Sequence, residues 1–163
     1  MLRVAALVLI GSCLASAGEA QVVAPAKVQA SVARVFGAGA AAQSLTTARG
    51  VVLRAERHDS LLGFAAVRDA RGKDQPITFL VAVDTAGRVL DVDILVYREA
   101  YGGEVAYESW RRQFRGRSAS DSVRVGHPIR NISGATISSN AVTLGVRSAL
   151  DDLAQLRREG VLK

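Results

Sequence analysis

The stretch Ile77-Thr78-Phe79-Leu80-Val81-Ala82-Val83-Asp84-Thr85-Ala86-Gly87-Arg88-Val89-Leu90-Asp91-Val92-Asp93-Ile94-Leu95-Val96-Tyr97 decides the fold. Ile77–Asp84 is a short run dense in β-forming residues. Val89–Tyr97 alternates, with Val89, Asp91, Asp93 and Leu95 on one side and Leu90, Val92, Ile94 and Val96 on the other; a period of two is the signature of a strand. Between them, Thr85-Ala86-Gly87 puts glycine where a three-residue hairpin needs a left-handed residue. Residues 77–97 are therefore expected to form a β-hairpin. Asp91 and Asp93, on one side of an alternating strand, read as solvent-facing charges and not as a catalytic pair.

Working outward, Val51–Glu56 and Leu62–Asp69 read as further strands, with Ala70-Arg71-Gly72-Lys73 as a turn. Pro25 can open a helix at its first position, and Val28, Val32 and Val35 recur at helical spacing. Gly37-Ala38-Gly39 ends that pattern, and a second, weaker helical stretch is expected near Ala40–Leu45. From Ile137 onward the apolar set Ala141, Leu144, Ala149, Leu153 and Leu156 predicts a helix ended by Gly160, with Ser138 or Ser139 as its N-cap. The fold class is α+β. A single domain is expected, with an antiparallel sheet built around the central hairpin and packed against N- and C-terminal helices.

The chain has 163 residues and a net charge of +6, one domain's worth of sequence. Arg3, the apolar run Val4–Leu14 and the small residues that follow read as a leader over residues 1–20. Three readings of it stand: a signal peptide cut after Ala17 or Ala20, a retained membrane anchor, or lipidation at Cys13 in Ile10-Gly11-Ser12-Cys13. All three place the domain outside the cytoplasm, in the periplasm or on the outer face of the membrane. Cys13 is the only cysteine, so a domain that begins beyond it has no disulfide and no cysteine-held iron–sulfur cluster or haem. An organic cofactor would have to carry any electrons. The basic charge survives loss of the leader, because Arg3 and Glu19 cancel. An exported basic protein is expected to meet anionic membranes or phosphate-bearing cofactors, and no nucleic acid.

Residues 98–132 have no strong period, yet with Tyr97 at their edge they hold Tyr101, Tyr107, Trp110 and Phe114, so five of the chain's eight aromatics gather over 97–132. An aromatic-rich loop of this length is usually functional. Just beyond it, Ser133-Gly134-Ala135-Thr136 offers a hydroxyl on small, uncrowded backbone at the start of the last helix. Unpaired N–H groups and the helix dipole favour a phosphate there. The reading is that Thr136 carries a phosphate-bearing group, with flavin mononucleotide (FMN) as the candidate. Ser133 would donate to the phosphate or simply form the turn. Arg98 and Glu99 would meet the edge of the flavin ring or pair with each other. Gly102-Gly103 would admit the ring or make a tight turn. Trp110 and Phe114 would stack on the flavin or serve as core. Arg111, Arg112, Arg115 and Arg117 read as a solvated face, with docking to an acidic partner or to lipid headgroups as the alternative. His58 and His127 show no metal-site spacing.

Ser133-Gly134-Ala135-Thr136-Ile137-Ser138-Ser139 resembles the flavinylation motif of the FMN-binding domain family, which includes the covalent-FMN subunits of the Rnf and sodium-pumping NADH:quinone oxidoreductase complexes. Tyr97-Arg98-Glu99-Ala100-Tyr101-Gly102-Gly103-Glu104-Val105, with Trp110 and Arg112-Gln113-Phe114-Arg115-Gly116, is similar to the family's short exported branch. The resemblance covers roughly residues 60–155. It implies FMN held covalently through Thr136, with Ser133, Gly134, Ala135, Arg98, Glu99, Tyr101, Gly102 and Gly103 around the cofactor. It also implies a separate flavin transferase that uses FAD, and a membrane-bound redox donor or acceptor. The family usually has Asp six positions before the threonine, where this chain has Arg130. The expected division is a leader over 1–20, an N-terminal helical segment over 21–58 and the FMN-binding domain over 59–158. The expected function is electron carriage at the cell envelope, more an electron-transfer protein than a stand-alone enzyme. A small exported oxidoreductase and a flavin-free envelope binding module are the alternatives.

Overall fold

The computed structural model describes residues 24–163. The leader and Cys13, with the three readings attached to them, lie outside the described residues. Five strands form one antiparallel meander in the order β1 (Ala41–Thr47), β2 (Gly50–Arg57), β3 (Ser60–Arg71), β4 (Pro76–Asp84) and β5 (Val89–Val96). Helix α1 (Pro25–Phe36) covers one face, and the long helix α3 (Thr136–Arg158) covers the other together with residues 97–135. The segment 97–135 contains a one-turn helix, α2 (Glu108–Arg111), flanked by single 3₁₀ turns. Among the described residues, no helix is long and apolar enough to cross a membrane.

The unbroken apolar run in β4 has a simple cause. Phe79, Val81 and Val83 belong to the core shared with α3, whereas Leu80 and Ala82 pack with Val32 and Phe36 of α1. A strand buried on both faces shows no polar alternation. The hairpin forms at the expected place, with Gly87 at a φ of +82° and the Asp84 carboxylate accepting the backbone N–H groups of Ala86 and Arg88, both at 2.9 Å.

Four expectations need correction. The stretch Ala40–Leu45 is not helical but enters strand β1, and β1 and β2 pair into the same sheet as β3–β5. Of the expected helical segment over 21–58, the described part, residues 24–58, is one helix and two strands. The alanines favour helix locally, but the ladder from Ala41↔Glu56 to Thr47↔Gly50 satisfies the backbone and overrides that preference. In β5 the ladder to β4 shifts register twice, once beside Leu90 and once beside Leu95. The shift beside Leu90 puts Val89 on the α3 side with Val92, whereas Asp91–Ile94 alternate as expected and α1 covers the face that carries Asp91. Asp91 does not face solvent: it is 3% exposed and points toward α1 and α2. Arg111 likewise leaves the solvated face and is buried against it. Finally, α3 begins one residue earlier than expected, so Ser138 and Ser139 lie inside it, buried, and neither caps it. Its buried stripe runs through Val142, Val146, Ala149, Leu150, Leu153 and Leu156, while Leu144 is 68% exposed.

Trp110 and Phe114 are core residues, packed edge to face at 5.2 Å with an interplanar angle of 78°. The Trp110 indole N–H donates to the Arg130 carbonyl at 2.8 Å, and the Gln113 side-chain carbonyl accepts the Arg130 N–H at 2.8 Å. These two bonds hold the loop that leads into α3.

Candidate functional site

Thr136 is the first residue of a helix of 23 residues, and its side chain is exposed. Gly134, two residues before it, has a φ of +82° with open space where a Cβ would stand, so glycine is there for the backbone turn. Ala135 occupies the N-cap position and no side chain caps the helix. Among the described residues, the backbone N–H groups of Thr136, Ile137 and Ser138 have no hydrogen-bond acceptor; the first N–H with one is that of Ser139, bonded to the Ala135 carbonyl at 2.9 Å. The first turn holds no acidic residue. Three orphan donors and the positive end of the helix dipole therefore lie beside the exposed Thr136 hydroxyl.

A cleft of about 320 Å³ opens at this point, walled by Gly134–Ser138 on one side and by Lys73, Asp74, Glu99, Ala100 and Tyr101 on the other. Two apolar surfaces line it uncovered: Tyr101 is 84% exposed and Ile137 52% exposed. The β3–β4 turn supplies Lys73 and Asp74. Glu99 fastens that turn, because its Oε1 accepts the backbone N–H groups of Asp74 at 2.8 Å and Gln75 at 3.1 Å. The Gln75 N–H is the main reason the Glu99 carboxyl is held below the usual carboxylate range.

The far wall is tied to α3 by Tyr97. Its hydroxyl donates to the Tyr101 carbonyl and meets Ser138 Oγ at 2.9 Å. Burial, aided by the charges of Glu99 and Glu104, holds this phenol above its ordinary pKa against the Ser138 bond, so it stays a neutral donor. Gly102 sits over this pair with a φ of +91°; a Cβ there would lie 2.7 Å from both Ser138 Oγ and Tyr97 Oη.

The structure thus brings Gly134, Ala135, Thr136, Glu99 and Tyr101 to one cleft. Gly102 and Gly103 stand behind the wall, packed on Tyr97. Ser133 is exposed at the turn, and Arg98 is exposed; neither lines the cleft. Sequence reasoning did not single out Tyr97, Lys73 or Asn131 as site residues. The Asn131 amide donates to Thr136 Oγ1 at 3.0 Å. Its signal was weak, a polar residue five positions before the threonine in a loop of irregular backbone. Lys73 arrives only through the hairpin that carries it.

The sequence model of the FMN-binding domain family matches residues 72–151, which span both walls of the cleft. Residues 72–151 belong to the FMN-binding domain family. The chain is also 29% identical over 106 residues to one component of the proton-translocating ferredoxin:NAD(+) oxidoreductase complex of Clostridium ljungdahlii, a match that covers 61% of this chain and 57% of that relative. This chain therefore spans little more than half the length of that relative. FMN is the cofactor of such a domain, and the cleft fits it. Orphan N–H groups suit a phosphate, and exposed Tyr101 and Ile137 suit a flat apolar ring.

Proposed function

We propose that this protein is an exported electron carrier that holds one FMN through a phosphoester to the Thr136 hydroxyl. The observation that carries the reading is the exposed Thr136 side chain at the uncapped N-terminus of α3, at the edge of an open cleft. The ester would be made by a separate flavin transferase with FAD as donor: the threonine oxygen replaces AMP on the FMN phosphorus and the hydroxyl proton leaves. Once bound, FMN supplies the redox chemistry. The chain supplies the rest. The N–H groups of Thr136, Ile137 and Ser138 hold the phosphate charge, Tyr101 and Ile137 wall the ring, and Tyr97 keeps the 98–103 loop docked on α3. The Asn131 amide fixes the orientation of Oγ1.

The family and the relative's place in a ferredoxin:NAD(+) oxidoreductase complex support electron transfer with a membrane-associated partner. The leader supports export, and a covalent tether suits a compartment where lost flavin is not replaced. Intact-mass measurement of the protein produced with and without a flavin transferase tests the reading. A mass gain of one esterified FMN is expected only with the transferase, and not in Thr136→Ala. Unchanged mass in a host that loads other such domains would refute the tether.

A further inference from the structure

We propose that the cavity between the tip of the β4–β5 hairpin and the last turn of α3 binds a phosphate group. The cavity holds about 490 Å³ and is lined by Arg88, Arg157 and Arg158, by Ser118 and Ser120, and by Gly87 at the hairpin tip. Among the described residues, none of the three guanidinium groups has a carboxylate within ion-pair distance. Arg88 donates to the Gly116 carbonyl at 3.0 Å and Arg158 donates to the Gln155 side-chain carbonyl. Nη1 of Arg157 is sealed from solvent with no acceptor at all. A methyl group on Gly87 would stand 3.3 Å from that nitrogen, so the guanidinium is pressed against the hairpin tip. A cationic donor placed this way is costly unless an anion compensates it.

Asp121, whose carboxylate feels the Arg88 charge, forms no ion pair with it. Asp121 is absent from the cavity lining, and its Oδ2 is committed to the Ser118 hydroxyl at 2.8 Å and the Ser118 N–H at 2.7 Å. Basic residues in the last turn of a helix complement its dipole, which accounts for Arg158. It does not account for Arg88, on another element, or for the sealed Nη1. Three guanidinium groups from two elements present donors from several directions. That array suits a tetrahedral oxyanion better than a planar carboxylate, which one guanidinium fork satisfies.

This is not the place of the FMN phosphate. Arg157 lies 21 residues along α3 from Thr136, about 32 Å at the helical rise. The phosphate belongs to a soluble molecule or to a phospholipid headgroup. A headgroup would hold this end of the domain on the membrane.

The test uses the full chain in two arms. In the first, inorganic phosphate replaces chloride at constant ionic strength while the ¹⁵N arginine Nε–H resonances are followed. In the second, the protein is sedimented with vesicles of phosphatidylcholine, with and without phosphatidylglycerol. Saturable phosphate binding or phosphatidylglycerol-dependent sedimentation is expected. Arg157→Gln or Arg88→Gln should weaken it roughly tenfold or more, the loss of one charge-assisted bond. Arg158→Gln, at an exposed position, should weaken it severalfold with no effect on folding. Lys27→Gln removes the same charge from α1 and should change nothing. Phosphate binding alone assigns a soluble ligand, and vesicle binding alone assigns a headgroup. Failure of both probes, or equal weakening by Lys27→Gln and Arg158→Gln, overturns the proposal. Both arms are independent of FMN loading, so the outcome is separate from that of Thr136.

Discussion

Arg111→Met should be among the most damaging single changes away from the cleft. Arg111 Nη1 lies 2.9 Å from Asp91 Oδ2, and its Nε donates to the Ala106 carbonyl at 2.9 Å. Asp91 is 3% exposed. Its remaining ion-pair partners are Arg34 at 2.8 Å and Arg115 at 3.7 Å, both with side chains more than 40% exposed. Breaking a buried pair typically costs about 3–5 kcal/mol, because the other charge is stranded. Arg34 still compensates part of the Asp91 charge, so about 2–3 kcal/mol is expected here. For a domain of this size that lowers Tm by roughly 5–10 °C.

Denaturant unfolding of four proteins gives the assay: wild type, Arg111→Met, Asp91→Leu, and the double variant. Replacing both partners by apolar groups removes the stranded charge, so the double variant should recover to within about 1 kcal/mol of wild type. A double variant no more stable than Arg111→Met would refute the reasoning, since the loss would then come from packing. The pH dependence has a definite sign. Burial pushes the Asp91 carboxyl up, but the Arg34 bond and the Arg111 charge outweigh it and hold the group below the usual range. A depressed carboxylate contributes its stability above its unfolded pKa of about 3.9 and loses it as pH falls through the folded value. The gap between wild type and Arg111→Met should be full at neutral pH and shrink in acid.

Gly102→Ala should destabilise by about 1–3 kcal/mol in thermal unfolding, from the left-handed backbone and the clash with Ser138 Oγ and Tyr97 Oη; adding Ser138→Ala should return only the steric part. Protonating Glu99 releases the Asp74 and Gln75 amides. Their protection, read by hydrogen exchange, should be present above the ordinary glutamate pKa, decline as pH falls through the lowered folded value, and be lost in Glu99→Gln at neutral pH. Asn131→Ala removes the hydrogen bond that orients Thr136 Oγ1, so flavin loading followed by intact mass should slow about fivefold, with folding unchanged by circular dichroism.

The meander was legible where the pattern was local. Strands at 51–56, 62–69 and 77–97, the turn glycine at 87 and the small-residue motif at 133–136 follow from side-chain period, β-propensity and turn chemistry, all of which act over a few residues. Ala41–Thr47 was not, because its composition favours helix and only its ladder with β2 makes it a strand. The burial of Asp91 was hidden for the same reason. Nothing within Val89–Val96 announces that helices cover the face carrying Asp91, and the arginines that compensate it lie 57 and 20 residues away.

By itself the sequence determined that this is an α+β domain with a hydroxyl offered at the start of its last helix, since those features are written in contiguous residues. Only the tertiary structure decided what surrounds that hydroxyl. Tyr101 and Glu99 reach it through a loop docked by Tyr97, Lys73 comes in on a separate hairpin, and Arg98 and Ser133 are left outside the cleft. The physical reason is that the cleft is closed by contacts between residues tens of positions apart. Their alignment is set by strand register and helix placement, quantities that no local window of sequence contains.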